Sequence, residues 1–235
     1  MRLLIVGGAG FLGGELARQA LAAGHTVAAT FMTRPGAAPG VAWSPLDVRD
    51  REAVAELVGA LAPDVVVNAA HRKADWTATA DGAAHVALAV AAAGGRLVHV
   101  SSDAVFSGEA VTYAEDRVPD PISPYGAAKA AAEVAVRAIV PGAVVVRTSL
   151  IVGDGRSGHE SFVRALATGR KQGVLFTDDV RCPVHVEDLA AARLVRGRRA
   201  DMDVPGPLDV RLDCAATQRC LRTRLRGARE FLRRS

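Results

Sequence analysis

The 235-residue sequence predicts an α/β fold built on a doubly wound parallel sheet. Short apolar runs alternate with longer stretches rich in Ala and Leu, as strands alternate with helices in such folds. The first run, Arg2 to Val6, breaks directly into a glycine-rich segment before a helical stretch, an order typical of Rossmann-like nucleotide-binding domains. Half of the residues are hydrophobic and 4% are aromatic, so we expect a core of small aliphatic side chains.

The glycine-rich segment from Gly7 to Gly14 predicts a dinucleotide-binding loop. Its glycines fit two registers, GxGxxG beginning at Gly8 and GxxGxxG beginning at Gly7. In either register the loop makes a tight turn, lets the backbone approach a pyrophosphate, and directs helical N–H groups at it. The alternative is a tight turn that binds nothing. The residues expected to contact the cofactor are Gly7, Gly10, Phe11, Leu12 and Gly13.

The second and third strands predict how the adenosine end of the cofactor is bound. The strand from His25 to Phe31 ends without the carboxylate that NAD-binding proteins present to the ribose hydroxyls. Arg34 follows instead, and because a guanidinium can pair with a 2′-phosphate, NADPH is favoured over NADH; the alternative is an ordinary loop cation. The strand from Val41 to Leu46 ends at Asp47 and Val48, where Asp47 could accept a hydrogen bond from the adenine amino group.

The next predicted helix and strand are expected to form one wall of the cofactor-binding crevice. Asp50 caps a helix that runs to about Leu61, and a fourth strand covers Asp64 to Asn68. Small residues follow that strand, which lets the backbone lie against the cofactor. His71 comes next, and we expect it to line the substrate pocket, with a catalytic role as the alternative. The cofactor contacts expected here are Asn68, Ala69 and Ala70.

The segment after the fifth predicted strand contains a candidate side chain for polarising a substrate carbonyl. A helix over residues 78–93 leads to the strand Arg96 to Val100, and a hydroxyl group follows its end. Ligands bind at the carboxyl ends of parallel strands, so Ser102 is a candidate to hydrogen-bond a substrate carbonyl and stabilise the developing alkoxide. Asp103 and Val105 are candidate substrate contacts. The alternative is that the two polar side chains only cap the strand exit.

Tyr125 and Lys129 are candidates for proton transfer. They lie four residues apart on a predicted helix, so their side chains project from one face. A phenol has an ordinary pKa of about 10, and a neighbouring ammonium should lower that pKa by stabilising the phenolate. A tyrosine tuned in this way works as a general acid or base.

Composition argues against several other classes of protein. The net charge of +4 belongs to residues 211–235, which hold eight arginines against two acidic residues and predict a solvated helix face rather than a nucleic-acid site. The three cysteines lack disulfide or zinc spacing, and we expect no metal. No apolar run approaches the roughly 18–20 residues of a membrane helix, and no signal peptide is recognised, so a cytoplasmic protein without a membrane partner is expected.

These features together resemble the short-chain dehydrogenase/reductase superfamily, in its extended, sugar-nucleotide-modifying branch. The glycine loop is joined by a serine at a strand end and by a Tyr-x-x-x-Lys motif 23 residues later. SSDAVFSG at 101–108 is similar to the STDYVFDG signature of dTDP-4-dehydrorhamnose reductases, and RTS at 147–149 matches their strand end. The resemblance implies that Ser102 polarises a ketone, that Tyr125 donates the proton, and that Lys129 binds the nicotinamide ribose and lowers the pKa of Tyr125.

The activity implied by this resemblance is NAD(P)H-dependent reduction of a keto group on a nucleotide-linked deoxysugar. A dehydratase is disfavoured because Asp103 is followed by Ala104 rather than by glutamate. An epimerase of the same substrate class remains an alternative. A non-catalytic NAD(P)-binding regulatory protein is another, since the regulatory subunit of methionine adenosyltransferase resembles the same family.

The resemblance also predicts the domain organisation and shows where this sequence departs from its relatives. Residues 1–150 are expected to form the NAD(P)-binding Rossmann domain and residues 151–235 a small substrate lobe that looks shortened in its middle. In that lobe Arg181 could meet a substrate phosphate. His85 stands where relatives usually have an asparagine, which puts a helix-kink water site or proton relay in doubt. A homodimer is the expected assembly.

Overall fold

The computed structural model of the protein describes residues 1–110, 112–173, 181–191 and 211–212. The chain divides into two compact units. The first consists of Met1–Ser107 and Pro119–Arg147, and the second takes Gly108–Val118 and the chain from Thr148 onward. The arginine-rich segment at 211–235 lies outside the described residues, apart from a two-residue strand at 211–212.

The first unit contains a six-stranded parallel sheet. In chain order, the strands of the protein are β1 (Arg2–Val6), β2 (Thr26–Phe31), β3 (Ala42–Pro45), β4 (Val65–Asn68), β5 (Arg96–Val100), β6 (Thr112–Tyr113), β7 (Val144–Val146), β8 (Ile151–Val152), β9 (Val184–His185) and β10 (Arg211–Leu212). The sheet has the order β3-β2-β1-β4-β5-β7, and each neighbouring pair is parallel. The order reverses between β1 and β4, so the ligand-binding crevice of such a sheet lies beyond the ends of these two strands.

Helices cover both faces of this sheet, which confirms the doubly wound Rossmann-like fold. The helices of the protein are α1 (Phe11–Ala22), α2 (Arg51–Leu61), α3 (Gly82–Ala93), α4 (Pro124–Ile139), α5 (Gly158–Ala167) and α6 (Val186–Ala191). The predicted helix over 78–93 differs in its first turn, because Thr77–Asp81 is a π-helix that runs into α3.

Local sequence signals explain where the helices begin. Asp50 accepts a hydrogen bond from the N–H of Ala53 and so caps α2, as predicted. Ser123 caps α4 by accepting from the N–H of Gly126, and Pro124 occupies the first helical position, where no N–H is needed. These caps fix the first turn of the helix that carries Tyr125.

Alternate residues of β1 enter two separate cores. Leu4 and Val6 pack with α2, α3 and α4 on one face, whereas Ile5 packs with Val27 and Ala17 on the other. Since both faces of the strand are buried, its sequence is continuously apolar rather than alternating. Burying each such aliphatic side chain contributes about 1.5–3 kcal/mol, which makes the sheet a rigid support for the loops at its edge.

The described residues of the second unit form short strand pairs and the helices α5 and α6. β8 pairs with β9, and β6 pairs with β10, both in parallel. The hydroxyl of the buried Tyr113 accepts hydrogen bonds from the N–H groups of Gly108 and Ala110, which closes the turn before β6.

The described residues contain neither a membrane-spanning helix nor a cluster of metal-binding side chains. No helix in this part of the chain is long and apolar enough to cross a membrane. Within the same residues, no group of three or more His, Cys, Asp or Glu side chains could hold a metal ion.

Candidate active site

The glycine loop that follows β1 has a backbone that only glycine permits. Gly7 has a φ of +80°, and a Cβ placed there would lie 2.8 Å from the backbone nitrogen of Ala70. A Cβ at Gly13 would overlap the carbonyl oxygen of Gly7. The loop is held by Thr30 at the end of β2, whose hydroxyl and carbonyl accept from the N–H groups of Gly7 and Ala9, at 3.0 and 3.2 Å. The turn therefore lies against the exit of β4, at the reversal point of the sheet.

The amino end of α1 is suited to an anionic group. Gly10 provides no side-chain cap, and the first turn, with Phe11 and Leu12, contains no acidic residue. By contrast, side chains cap α2, α4 and α5. Uncapped N–H groups and the positive end of the helix dipole favour a phosphate there. These residues fit the pyrophosphate of a dinucleotide.

The predicted adenosine contacts differ in how available they are. Arg34 is exposed and makes no ion pair with the part of the chain that the structure describes. Asp47 is already bound by Arg49, whose Nη2 lies 2.6 Å from Oδ2, and the same guanidinium reaches Asp75 at 3.2 Å. The hydrogen bond from Arg49 holds the pKa of Asp47 below its usual range. An adenine amino group would therefore compete with Arg49 for this carboxylate, a contact that the sequence analysis did not anticipate.

Val48, the candidate cofactor contact next to Asp47, is bound through its backbone carbonyl to His85. Nδ1 of His85 lies 2.9 Å from the carbonyl oxygen of Val48, so the imidazole donates this hydrogen bond and ties α3 to the end of β3. A histidine thus fills a structural role at this position, where relatives were expected to have an asparagine.

Asn68 shapes the exit of β4. Its Oδ1 accepts from the N–H of Ala70 at 3.1 Å, and its Nδ2 lies 3.4 Å from Nδ1 of the buried His99. Because an amide nitrogen only donates, Nδ1 of His99 accepts and the proton is on Nε2. Burial lowers the pKa of His99 to about 3, so this imidazole is neutral at physiological pH. The backbone of Ala69 and Ala70 lies beside the glycine loop.

Ser102 lies in the turn that follows β5. Its Oγ accepts from the N–H of Ala104 at 3.2 Å and donates to Oδ1 of Asp103 at 3.2 Å. The Ser102 side chain thus caps the 3₁₀ turn Asp103–Val105, and the Asp103 carboxylate accepts from its hydroxyl. The hydroxyl can still serve a substrate by exchanging its bond to Asp103. Val105 is fully buried, so its side chain supports the turn and offers no surface to a ligand in this structure.

Tyr125 is near Ser102 and is half-buried in the first turn of α4. Burial raises the pKa of Tyr125, the Ser102 hydroxyl lowers it as a hydrogen-bonding group, and the charge of Asp103 raises it. The direction is opposite to the lowering that the sequence predicted from Lys129. Desolvation disfavours the phenolate, and the charge of the Asp103 carboxylate disfavours it further.

Lys129 lies on the same side of α4 but is turned into the protein. Its side chain is 2% exposed, and Nζ donates to the carbonyl oxygen of Val100 at 2.6 Å. Burial lowers the pKa of Lys129 to about 8, and the charge of Glu133 opposes that change. The ammonium is thus fixed at the end of β5, next to the residues that lead to Ser102.

His71 and Lys73, from the loop after β4, flank Tyr125. The ring of His71 lies 6.0 Å from the Tyr125 ring, centroid to centroid, and Nζ of Lys73 lies 6.0 Å from the same centroid. Burial and then the charge of Lys129 lower the pKa of His71. The buried Thr79 holds this loop, since its hydroxyl exchanges two hydrogen bonds with the backbone of Arg72. His71 therefore lies beside Tyr125, and its role as a substrate contact stays a prediction.

Sequence reasoning missed Lys73, Thr30 and Glu133. Lys73 and Thr30 belong to no motif, so no signal pointed to them. Glu133 had one, because it continues the four-residue spacing of Tyr125 and Lys129 along α4. Arg181 is exposed and belongs to the second unit, so the structure does not place this residue at the site described here.

The chain is similar to a known protein family and to individual known proteins. The sequence profile of the RmlD substrate binding domain matches residues 1–206. A dTDP-4-dehydrorhamnose reductase from Mycolicibacterium smegmatis is 35% identical over 207 residues, which cover 82% of this chain and 59% of the relative. Methionine adenosyltransferase 2 subunit beta from Mus musculus is 30% identical over 223 residues, 87% of this chain and 65% of the relative. The chain thus spans less than two thirds of the length of these relatives.

Solved structures show the same fold. A dTDP-4-dehydrorhamnose reductase from Bacillus anthracis in complex with NADP is 26% identical, with a TM-score of 0.66 over 80% of this chain and 68% of that one. The Bordetella bronchiseptica enzyme WbmG in complex with NAD and UDP is 25% identical, with a TM-score of 0.70 over 81% of this chain and 66% of that one.

Proposed function

Because this chain belongs to the RmlD substrate binding domain family, we propose that it is an NAD(P)-dependent oxidoreductase that reduces a keto group on a nucleotide-linked deoxysugar. The observation that carries the proposal is the meeting of Ser102, Tyr125 and the buried Lys129 at the end of β5. The glycine loop supports it, since its uncapped helix end and close-packed turn fit a dinucleotide pyrophosphate. The name of the Mycolicibacterium relative supports the substrate class.

Each side chain has a distinct part in the proposed reaction. A reduced nicotinamide, when bound, supplies the hydride. The Ser102 hydroxyl leaves Asp103 and donates to the keto oxygen, where negative charge develops. Tyr125 then protonates that oxygen. Its raised pKa suits this direction of reaction, because the phenol remains protonated at neutral pH and is available as an acid. Lys129 binds the cofactor ribose from its fixed position at the strand end.

The preference for NADPH over NADH is part of the proposal. Arg34 is exposed at the end of β2, where a guanidinium can pair with the 2′-phosphate. The family neighbour from Bacillus anthracis was solved with NADP and the Bordetella enzyme with NAD, so binding of a nicotinamide dinucleotide is common to both. The choice between the two cofactors rests on Arg34.

The proposal extends to the second unit. Residues 1–150 would serve as the cofactor domain and residues 151–235 as the substrate lobe, with Arg181 as the candidate partner of a substrate phosphate. A homodimer and a cytoplasmic location remain predictions from the sequence.

The test is turnover of a panel of nucleotide-linked keto sugars, followed through consumption of NADPH. Replacing Tyr125 with Phe removes the proton donor and keeps the ring, so we expect kcat to fall about 100- to 10,000-fold while cofactor affinity is retained. Full activity of Tyr125→Phe would rule out the assigned role.

A second candidate function has a specific observation in its favour. The 30% identity to a methionine adenosyltransferase subunit suggests an NAD(P)-binding protein that regulates a partner. Binding of NADPH without turnover of any sugar in the panel would favour this function. An epimerase would instead convert a nucleotide sugar with no net consumption of cofactor.

A further inference from the structure

A buried ionic network lies beneath the candidate active site. The Glu133 carboxylate is fully buried and accepts from the Ser101 hydroxyl at 2.6 Å. Arg147 binds the same carboxylate in a bidentate manner, with Nε 2.9 Å from Oε1 and Nη2 2.7 Å from Oε2. The guanidinium of Arg147 also lies over the ring of Phe106, 5.0 Å from its centroid. Each charged group in this cluster is therefore held by more than one contact.

The network joins three separate segments of the first unit. Ser101 follows β5 and directly precedes Ser102, Arg147 follows β7, and Glu133 lies in α4. The N–H of Ser101 also donates to the carbonyl oxygen of Val146 at 2.6 Å. A single carboxylate thus links the strand end that carries Ser102 to the helix that carries Tyr125.

Glu133 also lies one helical turn after Lys129, on the same side of α4. Both side chains are buried, and a buried ammonium needs compensating negative charge. The carbonyl oxygen of Val100 supplies a dipole, but Glu133 supplies the full charge. The helix therefore places the counter-charge of Lys129 inside the same network that fixes the end of β5.

We propose that Glu133 is a positioning residue for the reaction, which keeps Lys129 charged and directed at the end of β5 while holding Ser102 and Tyr125 at a fixed separation. The kinetic part of this inference rests on the proposed function. The structural part does not, because it concerns the state of Lys129 in the protein without substrate.

The other charged groups around this pair do not replace Glu133. From β5, the neutral His99 adds no negative charge, and from the loop after β4, His71 carries none either. Arg147 and Arg137 face the carboxylate from β7 and from α4, and both are cations. Among the groups that the structure describes as acting on Lys129, Glu133 is the anion.

A purely structural role makes a different prediction. Replacing a buried ion pair with apolar residues of similar volume is often neutral or stabilising, whereas removing one partner is destabilising. If the network served stability alone, an apolar pair would restore every property of the protein. If Glu133 instead keeps Lys129 charged, the apolar pair would restore the stability of the protein but would not restore the charge state of Lys129.

The chain allows a direct measurement of that charge state, because it has three lysines: Lys73, Lys129 and Lys171. In protein labelled with ¹³C-lysine, the Lys129 signal is assigned by Lys129→Met, and the two exposed lysines serve as internal references. Titration by NMR then gives the midpoint of each ammonium without any substrate. The same pH series is repeated for kcat/KM with the keto-sugar substrate.

We expect Glu133→Gln, which keeps the shape of the side chain, to lower the Lys129 titration midpoint by about one pH unit. The alkaline limb of the kcat/KM profile should move by the same amount. Arg137→Ala is the matched control, because this arginine is half-exposed and lies 3.6 Å from the carboxylate, and it should leave the midpoint unchanged.

The double variant Glu133→Leu with Arg147→Leu separates the two explanations. We expect its melting temperature to exceed that of Glu133→Gln, while Lys129 still titrates at the lowered pH. An unchanged Lys129 midpoint in Glu133→Gln, or a normal one in the double variant, would overturn the inference. Absence of turnover in the wild-type protein would instead count against the proposed function, since the NMR titration does not depend on it.

Discussion

Replacing Gly126 with Ala tests whether the close approach of α4 to the turn after β5 sets the geometry of the site. Gly126 directly follows Tyr125, and an added Cβ would overlap the carbonyl oxygen of Ala104 and lie 3.0 Å from both its carbonyl carbon and Cβ of Pro121. Carbon atoms pack at about 3.5–4.0 Å, so the helix and the turn must separate by roughly 1 Å. Tyr125 and Ser102 lie on opposite sides of this contact.

The expected effect on activity is larger than the effect on stability. Overpacking costs about 1–3 kcal/mol, and the better helix propensity of Ala returns close to 1 kcal/mol, so the variant should lose at most about 2 kcal/mol of unfolding free energy. A misplacement of about 1 Å between reacting groups can cost about 100-fold in rate. We therefore expect kcat to fall about 100-fold, with folded protein and NADPH affinity largely retained.

Gly59→Ala is the matched control. Gly59 lies in α2 and has no atoms within 4 Å of an added Cβ, so this variant should gain about 0.5–1 kcal/mol of stability and keep its kcat. The assays are NADPH consumption, calorimetric melting and titration of cofactor fluorescence. Wild-type kcat in Gly126→Ala, or a loss of activity explained entirely by unfolding, would refute the argument.

Three further predictions follow from the glycine loop, the cofactor specificity and the second unit. Gly7→Ala should lower the unfolding free energy by about 2–3 kcal/mol and weaken cofactor binding, because the residue has a φ of +80° and its new Cβ would meet the backbone of Ala70; a denaturation curve equal to that of the wild type would contradict this. Arg34→Ala should raise the Kd of NADPH about 10-fold and leave that of NADH unchanged in calorimetric titration, and an equal change for both would remove the basis for NADPH preference. Partial burial raises the pKa of Glu160, but hydrogen bonds from Gly153, Ser157 and Gly155 outweigh it and bring the pKa from 4.5 to about 2. This stabilisation is present above pH 4.5 and disappears as the pH falls through 2, so Glu160→Gln should cost about 1–2 kcal/mol at pH 7, after allowance for solvent screening, and little near pH 2; a cost independent of pH would contradict the assignment.

The fold was predictable because its signals are local. The apolar run of β1, the glycines after it and the caps of α2 and α4 act within a few residues of the chain, and each specifies one turn, one strand or one helix start. The exception is the π-helical turn Thr77–Asp81, where the predicted helix is continuous. That turn is tied to the loop just before it through the bonds between Thr79 and the backbone of Arg72, which the sequence pattern does not reveal.

By itself, the sequence determined which groups the candidate site contains, because strand ends and four-residue helical spacing bring Ser102, Tyr125 and Lys129 to one edge of the sheet. Only the tertiary structure decided their charge states and their partners. Burial raises the pKa of Tyr125, lowers that of Lys129 to about 8, and places Glu133 between Ser101 and Arg147. A pKa depends on the water removed and on the charges brought near through space, and both are set by residues far apart in the chain.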